Sequence, residues 1–142
     1  MGQRQSTTIA PQVMPETNLP VKTLKFENNS TYTGQVNEKN QKHGHGQFIW
    51  PGKLEYIGQF QNGDMHGFGK MIHTNGTEYE GEYKHNKWDG HGKLKYPNWQ
   101  IYRGEFQDGL RHGHGVLYNS DGTARRSGQW KYGEASHCCG LC

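Results

Sequence analysis

The chain of 142 residues is short of the side chains that build an ordinary core. Apolar residues make up 30% of it, against roughly 45–50% (glycine counted) in a typical globular domain. With so few aliphatics, no continuous Leu- and Ala-rich stripe is available for a helical bundle. No stretch of 18 apolar residues is present to cross a membrane as a helix, and the opening MGQRQSTTIAPQ lacks the apolar segment of a secretory signal. The body has no cysteine, so disulfides cannot staple it. All three cysteines lie in the last five residues, which fits a reducing cytosol. The body also lacks a surplus of either charge: from Leu24 to Gly122 there are 11 basic and 11 acidic residues. Nucleic-acid binding, which needs a clustered basic face, is therefore not expected. Asn28-Asn29-Ser30, Asn29-Ser30-Thr31 and Asn75-Gly76-Thr77 match the glycosylation pattern, but without a signal they read only as turns.

What the chain has in excess is glycine, with 21 residues, together with 8 Tyr, 5 Phe and 4 Trp. That composition points to many short strands joined by tight turns. The glycines and aromatics recur in register. Tyr32-Thr-Gly34-Gln-Val36 returns as Tyr56-Ile-Gly58-Gln-Phe60, Tyr79-Glu-Gly81-Glu-Tyr83 and Tyr102-Arg-Gly104-Glu-Phe106, and in degenerate form as Arg126-Ser-Gly128-Gln-Trp130. The starts are 24, 23, 23 and 24 residues apart. Each copy then carries a Gly-x-Gly (Gly44/Gly46, Gly67/Gly69, Gly90/Gly92, Gly113/Gly115) and a closing turn at Pro51-Gly52, Asn75-Gly76, Asn98-Trp99 or Asp121-Gly122. A half-repeat from Leu24 precedes the first copy. Such a period marks an array of stacked units.

Within a copy, Tyr79, Gly81 and Tyr83 alternate with Glu80, Glu82 and Lys84. This is a period-two pattern with one aromatic and one charged face. Gly-x-Gly is expected to begin the second strand of each unit, its missing side chains letting a ring of another unit lie against backbone. Tyr32, Tyr56, Phe60, Tyr79, Tyr83, Tyr102, Phe106 and Trp130 are the expected repeat core, with part of their surface open to a partner. Gly34, Gly58, Gly81, Gly104 and Gly128 are the expected structural glycines.

These motifs resemble the MORN (membrane occupation and recognition nexus) repeat. The resemblance covers roughly Leu24 to Gly133. It departs at Val36, at an extra loop residue between Asn37 and His43, at Trp99 in a turn glycine's place, and at Arg126 in the opening tyrosine's place. It implies an all-β fold, an elongated single-layer antiparallel sheet of stacked hairpins. Residues 24–133 are the expected array, between an N-terminal arm (1–23) expected to be flexible and a cysteine-rich tail (134–142).

The two ends carry the remaining chemistry. Met-Gly-Gln-Arg-Gln-Ser fits the myristoylation pattern at Gly2. In the tail, Cys138, Cys139 and Cys142 are candidate palmitoylation sites. Three other readings stay open: prenylation of Cys139, metal binding by His137 with Cys139-x-x-Cys142, and plain thiols or intermolecular disulfides. One myristoyl chain binds a bilayer only marginally, with an association constant on the order of 10⁴ M⁻¹, so stable attachment needs a second signal. The neutral body cannot supply a polybasic one; the cysteine tail can.

Among the nine histidines, His43, His66 and His112 come just before Gly-x-Gly, and His45, His91 and His114 lie inside it. Repetition at those places implies a structural role, so no metal site is expected in the body. No catalytic residues and no cofactor are expected either: no Gly-x-Ser-x-Gly, no phosphate-cradling Gly-x-Gly-x-x-Gly and no distinctive carboxylate pair is present, and the arm and tail are too short for a catalytic domain. The expectation is a non-enzymatic adaptor at the cytoplasmic face of a membrane, attached by its acyl chains and docking protein partners. End-to-end or face-to-face self-association is also open to a one-layer sheet. Two alternatives follow from the resemblance: a structural subunit of a cytoskeletal or ciliary assembly, and a phosphoinositide-binding module, the latter disfavoured by the neutral body.

Overall fold

A computed structural model describes residues 18–135. Gly2, Cys138, Cys139 and Cys142 lie outside the described residues, as does most of the arm and tail. The described chain forms one antiparallel sheet in which every strand pairs with its sequence neighbours. Its eleven strands are β1 (Val21–Lys25), β2 (Thr31–Val36), β3 (Lys42–Trp50), β4 (Leu54–Gln61), β5 (Asp64–His73), β6 (Glu78–Lys84), β7 (Lys87–Lys95), β8 (Ile101–Gln107), β9 (Leu110–Tyr118), β10 (Ala124–Lys131) and β11 (Glu134–Ala135). The sheet starts at Val21, three residues before the expected start of the array. This gives the preceding half-repeat a full strand against β2, with Leu24 opposite Tyr32.

The register places like residues in rows across the sheet. Tyr32, Phe48, Tyr56, Met71, Tyr79, Leu94, Tyr102 and Leu117 are successive cross-strand partners. Two residues along each strand runs an unbroken glycine row: Gly34, Gly46, Gly58, Gly69, Gly81, Gly92, Gly104, Gly115 and Gly128. The alternation read from the sequence holds: Tyr79, Gly81 and Tyr83 are buried, while Glu80, Glu82 and Lys84 are exposed.

Gly-x-Gly does not begin a strand. Each second strand starts earlier. In the first copy it follows a longer loop, 37–41, with positive φ at Asn40 alone (58°). In the next three it follows a tight turn whose central residues both have positive φ: Asn62 (47°) and Gly63 (98°), His85 (46°) and Asn86 (70°), Asp108 (51°) and Gly109 (84°). These are the type I′ turns that suit a two-residue hairpin. Gly-x-Gly falls further in and marks a bulge. Gly58 pairs with Gly69 and Phe60 with Met65, so His66, Gly67 and Phe68 oppose Gln59 alone. Three residues likewise face Gln35, Glu82 and Glu105. The extra residues bend the second strand, and the first glycine of each motif takes the positive φ that the bend requires, 71° at Gly44 and 103° at Gly90.

Candidate functional site: the ring ladder and the open outer face

The eight aromatics expected as core form one continuous ladder of edge-to-face contacts. It runs Tyr32–Phe60–Tyr56–Tyr83–Tyr79–Phe106–Tyr102–Trp130, with ring centroids 5.0–5.2 Å apart at every step. This is the favoured geometry for aromatic quadrupoles. Each tyrosine touches the second aromatic of its own copy and that of the next copy. The ladder therefore ends where the repeat sequence departs: Val36 offers no ring before Tyr32, and Arg126 offers none beyond Trp130. Each end is closed by a cation. The Lys42 ammonium lies 4.7 Å from the centre of Phe48 and 5.6 Å from that of Phe60. The Arg111 guanidinium lies 4.3 Å from the centre of Trp130 and donates to the Gly133 carbonyl.

The tyrosines cover the glycine row, and the ring over each Gly-x-Gly belongs to the same unit. Tyr32 covers Gly46, Tyr56 Gly69, Tyr79 Gly92 and Tyr102 Gly115. The expectation of a ring from another unit is thereby corrected: hairpin pairing brings Tyr79 and Gly92 together within one copy, and the neighbouring copy contributes the edge contact instead. Gly128 also departs from its expected role. Arg126 supplies no ring, nothing lies within 4 Å of a Cβ built there, and what favours glycine is a φ of +136°.

The hydroxyl of the tyrosine that opens each copy donates to a carbonyl three residues along its own strand: Tyr32 to Gln35 at 2.5 Å, Tyr56 to Gln59 at 2.8 Å, Tyr79 to Glu82 at 2.9 Å and Tyr102 to Glu105 at 3.0 Å. Burial pushes the Tyr32 and Tyr102 hydroxyls up to about 12. The acceptor residues do a second job with their side chains. Gln35, Gln59, Glu82 and Glu105 accept the bulge N–H of His45, Phe68, His91 and His114 at 2.6–3.1 Å. Sequence reasoning missed this role because these residues read as ordinary solvent-facing positions of an alternating strand. The signal available was the restriction to Gln or Glu in every copy.

The histidines before Gly-x-Gly are structural, as expected. Nδ1 of His43, His66 and His112 accepts the N–H of Asn62, His85 and Tyr132, the first residue of each next tight turn. In the third copy an Asp89 carboxylate oxygen accepts from Asp108 at 3.2 Å. Burial, then the nearby His85, holds the pKa of His66 below its ordinary value.

The ladder rings are at most 4% exposed, so the partner surface expected on them is closed by their own packing. The apolar side chains left in the open lie elsewhere. Ile49, Ile57, Phe68 and Ile72 are exposed on the outer face of β3–β5, where Ile49 and Ile72 flank Glu55 as cross-strand neighbours. Trp99, 65% exposed, stands in the turn between β7 and β8.

Comparison with known proteins agrees with the repeat geometry. The MORN repeat matches four consecutive times, at residues 32–53, 56–78, 79–101 and 102–124. Among curated proteins nothing matches. Among solved structures the chain is similar to the SAS-4 TCP domain of Drosophila melanogaster, solved in complex with a proline-rich motif of Ana2. The identity is 11%, 84% of each chain is covered, and the TM-score is 0.30. Four matched copies span most of the chain, in the register that the ring ladder and glycine row follow, and the protein belongs to the MORN repeat family.

Proposed function

We propose that this protein is a non-enzymatic adaptor held at the cytoplasmic face of a membrane, with the repeat array docking a protein partner. The observation that carries the docking part is the division of labour between the faces. The ladder satisfies its own core on one side, leaving Ile49, Ile57, Phe68 and Ile72 in the open on the other. Single exposed apolar residues are ordinary, whereas four gathered on one face of three neighbouring strands favour a binding role. Attachment rests on the sequence of the two ends: Gly2 receives myristate, and Cys138, Cys139 and Cys142 receive palmitate as the second signal. Once the myristate inserts, the tail is confined near membrane-resident acyltransferases at a high effective concentration.

Metabolic labelling and fractionation of wild type, Gly2→Ala and a triple Cys138/Cys139/Cys142→Ser variant test this. Gly2→Ala should lose both lipids and become soluble, whereas the triple variant should keep myristate and shift substantially to the soluble fraction. Full palmitate incorporation in Gly2→Ala would defeat the ordering. Membrane retention of both variants would overturn lipid attachment and assign the membrane contact to a protein partner bound by the repeats.

A further inference from the structure

Trp99 occupies a place where its own backbone is unfavourable. Its φ is 70°, at the turn position that Gly52, Gly76 and Gly122 fill in the other copies with φ of 74–97°. Holding a non-glycine residue there costs backbone strain, and such outliers concentrate at functional sites. The indole is 65% exposed, so core packing does not offset that cost.

A second, independent irregularity lies beside it. Lys93 and Arg103 are direct cross-strand partners on the outer face of β7 and β8. Like charges facing each other across a strand pair are destabilising. Among the described residues neither makes a salt bridge or a side-chain hydrogen bond. The nearby carboxylates are committed elsewhere. Glu78 pairs with Lys95 at 2.8 Å, and Glu105 accepts the His114 N–H and faces His91. Glu80, across the strand from Lys93, lies beyond ion-pair distance. Trp99, Ile101, Arg103 and Tyr118 line one shallow pocket of about 330 Å³, edged by Asn119 and Ser120. Lys95 lies over the Trp99 ring at 4.4 Å. Aromatic and aliphatic walls thus adjoin a cationic pair that has a single facing carboxylate, Glu80, and no salt bridge among the described residues.

We infer that this pocket, with Lys93 beside it across the strand from Arg103, docks an acidic segment of a partner protein: a carboxylate bridges Lys93 and Arg103 at the pocket's margin, and an adjacent apolar side chain enters between Trp99 and Tyr118. Charge complementarity selects the occupant. Arginine binds a carboxylate through two parallel N–H groups, and the paired cations repel an approaching basic segment. The proposal deepens the docking half of the preceding reading and is independent of the lipid half.

The test uses the unacylated full chain, ¹⁵N-labelled, titrated with a synthetic pentapeptide carrying four carboxylates around one phenylalanine. Shifts should concentrate at the Trp99 indole N–H, Ile101, Arg103 and Tyr118, and binding should weaken with salt. Arg103→Glu should weaken binding at least tenfold, while Arg125→Glu, outside the pocket, should leave it within twofold. Trp99→Gly is the diagnostic variant: restoring the residue of the other turns should raise Tm while weakening binding several-fold, a combination that a structural tryptophan would not give. Absence of localised shifts at millimolar peptide would overturn the inference. So would unchanged binding in Arg103→Glu, or a site that engages phosphatidylserine-containing vesicles and ignores the peptide. Solubility of the Gly2→Ala variant has no bearing on these readouts, so the two readings fail separately.

Discussion

The ring of Tyr79 covers Gly92, on the second strand of its own hairpin, so closely that a Cβ at Gly92 would fall 2.6 Å from two ring carbons. The same pairing joins Tyr32 to Gly46, Tyr56 to Gly69 and Tyr102 to Gly115. In this one-layer sheet the aromatic face has no second sheet to close it. The tyrosines lie over the glycine row instead, and the backbone beneath serves as the opposing wall.

From Gly34 to Gly115 the glycine row should therefore tolerate no side chain. A Cβ at Gly81 would meet the Gly92 Cα and the His91 carbonyl oxygen, each at 2.5 Å. Both are backbone atoms and cannot rotate away. Gly81→Val is expected to cost about 3 kcal/mol or more, at or above the upper end of ordinary overpacking. Glu82→Gln should change stability little, because Gln35 and Gln59 make the same bond to the bulge N–H in the first two copies. Glu82→Ala should cost about 1 kcal/mol for that lost bond. Thermal melts of the three variants, with Gly81→Val no less stable than Glu82→Gln, would refute the assigned faces.

Tyr83 is the one ladder rung whose buried hydroxyl reaches no carbonyl acceptor among the described residues, with only the Trp88 side chain interacting with it. Phe60 and Phe106 occupy the equivalent place in the neighbouring copies. Tyr83→Phe should stabilise the array by about 1 kcal/mol, since an unsatisfied buried hydroxyl costs about 1–3 kcal/mol. Tyr79→Phe should instead destabilise it by about 1 kcal/mol, because the Tyr79 hydroxyl donates to the Glu82 carbonyl. Urea titrations showing the same sign for both changes would remove the distinction.

Acid should weaken the fold in two stages. His66 has a folded pKa below its ordinary 6.5, through burial first and then the nearby His85. The unfolded chain therefore takes up that proton first, and stability present above about pH 6.5 declines as pH falls through this value. Asp64 is held low chiefly by its hydrogen bond with His85, and Glu78 chiefly by its hydrogen bond with Lys95. Their contribution is present above the ordinary carboxylate range and is lost as pH falls below about 4. In a Tm-versus-pH series His66→Asn should flatten part of the upper decline and leave the lower one. An identical profile for the variant would assign the upper decline to other histidines.

The tyrosines and glycines of the ladder were legible in the sequence because a 23-residue period repeats them. A residue that recurs in four copies shows which face it occupies by its parity with its neighbours. Two things were not legible. The tight turns at Asn62-Gly63 and Asp108-Gly109 carry plain turn residues, but their third member is His85-Asn86, which breaks the pattern, so the second strands were begun too late at Gly-x-Gly. The bulge was hidden for a related reason. Three residues opposing Gln59 is a fact of pairing between strands, and spacing along one strand does not reveal it. The owner of each ring over Gly-x-Gly was misassigned on the same account. The pocket at Trp99 was visible only as a missing glycine.

The ladder also has a consequence for how the chain finds its frame. The interior rungs repeat their rings and glycines, so a hairpin displaced by one whole copy would meet much of what it meets in its proper place; what changes is the side chain facing the second ring, where Trp88 stacks on Tyr79 at 4.6 Å in the third copy and Met65 stands in the second. That position tells the copies apart: Lys42 faces Val36, Met65 faces Phe60, Trp88 faces Tyr83 and Arg111 faces Phe106. A chain with Lys42, Met65, Trp88 and Arg111 made alike would lose its counting marks. It should populate slipped pairings and partner-swapped multimers during refolding.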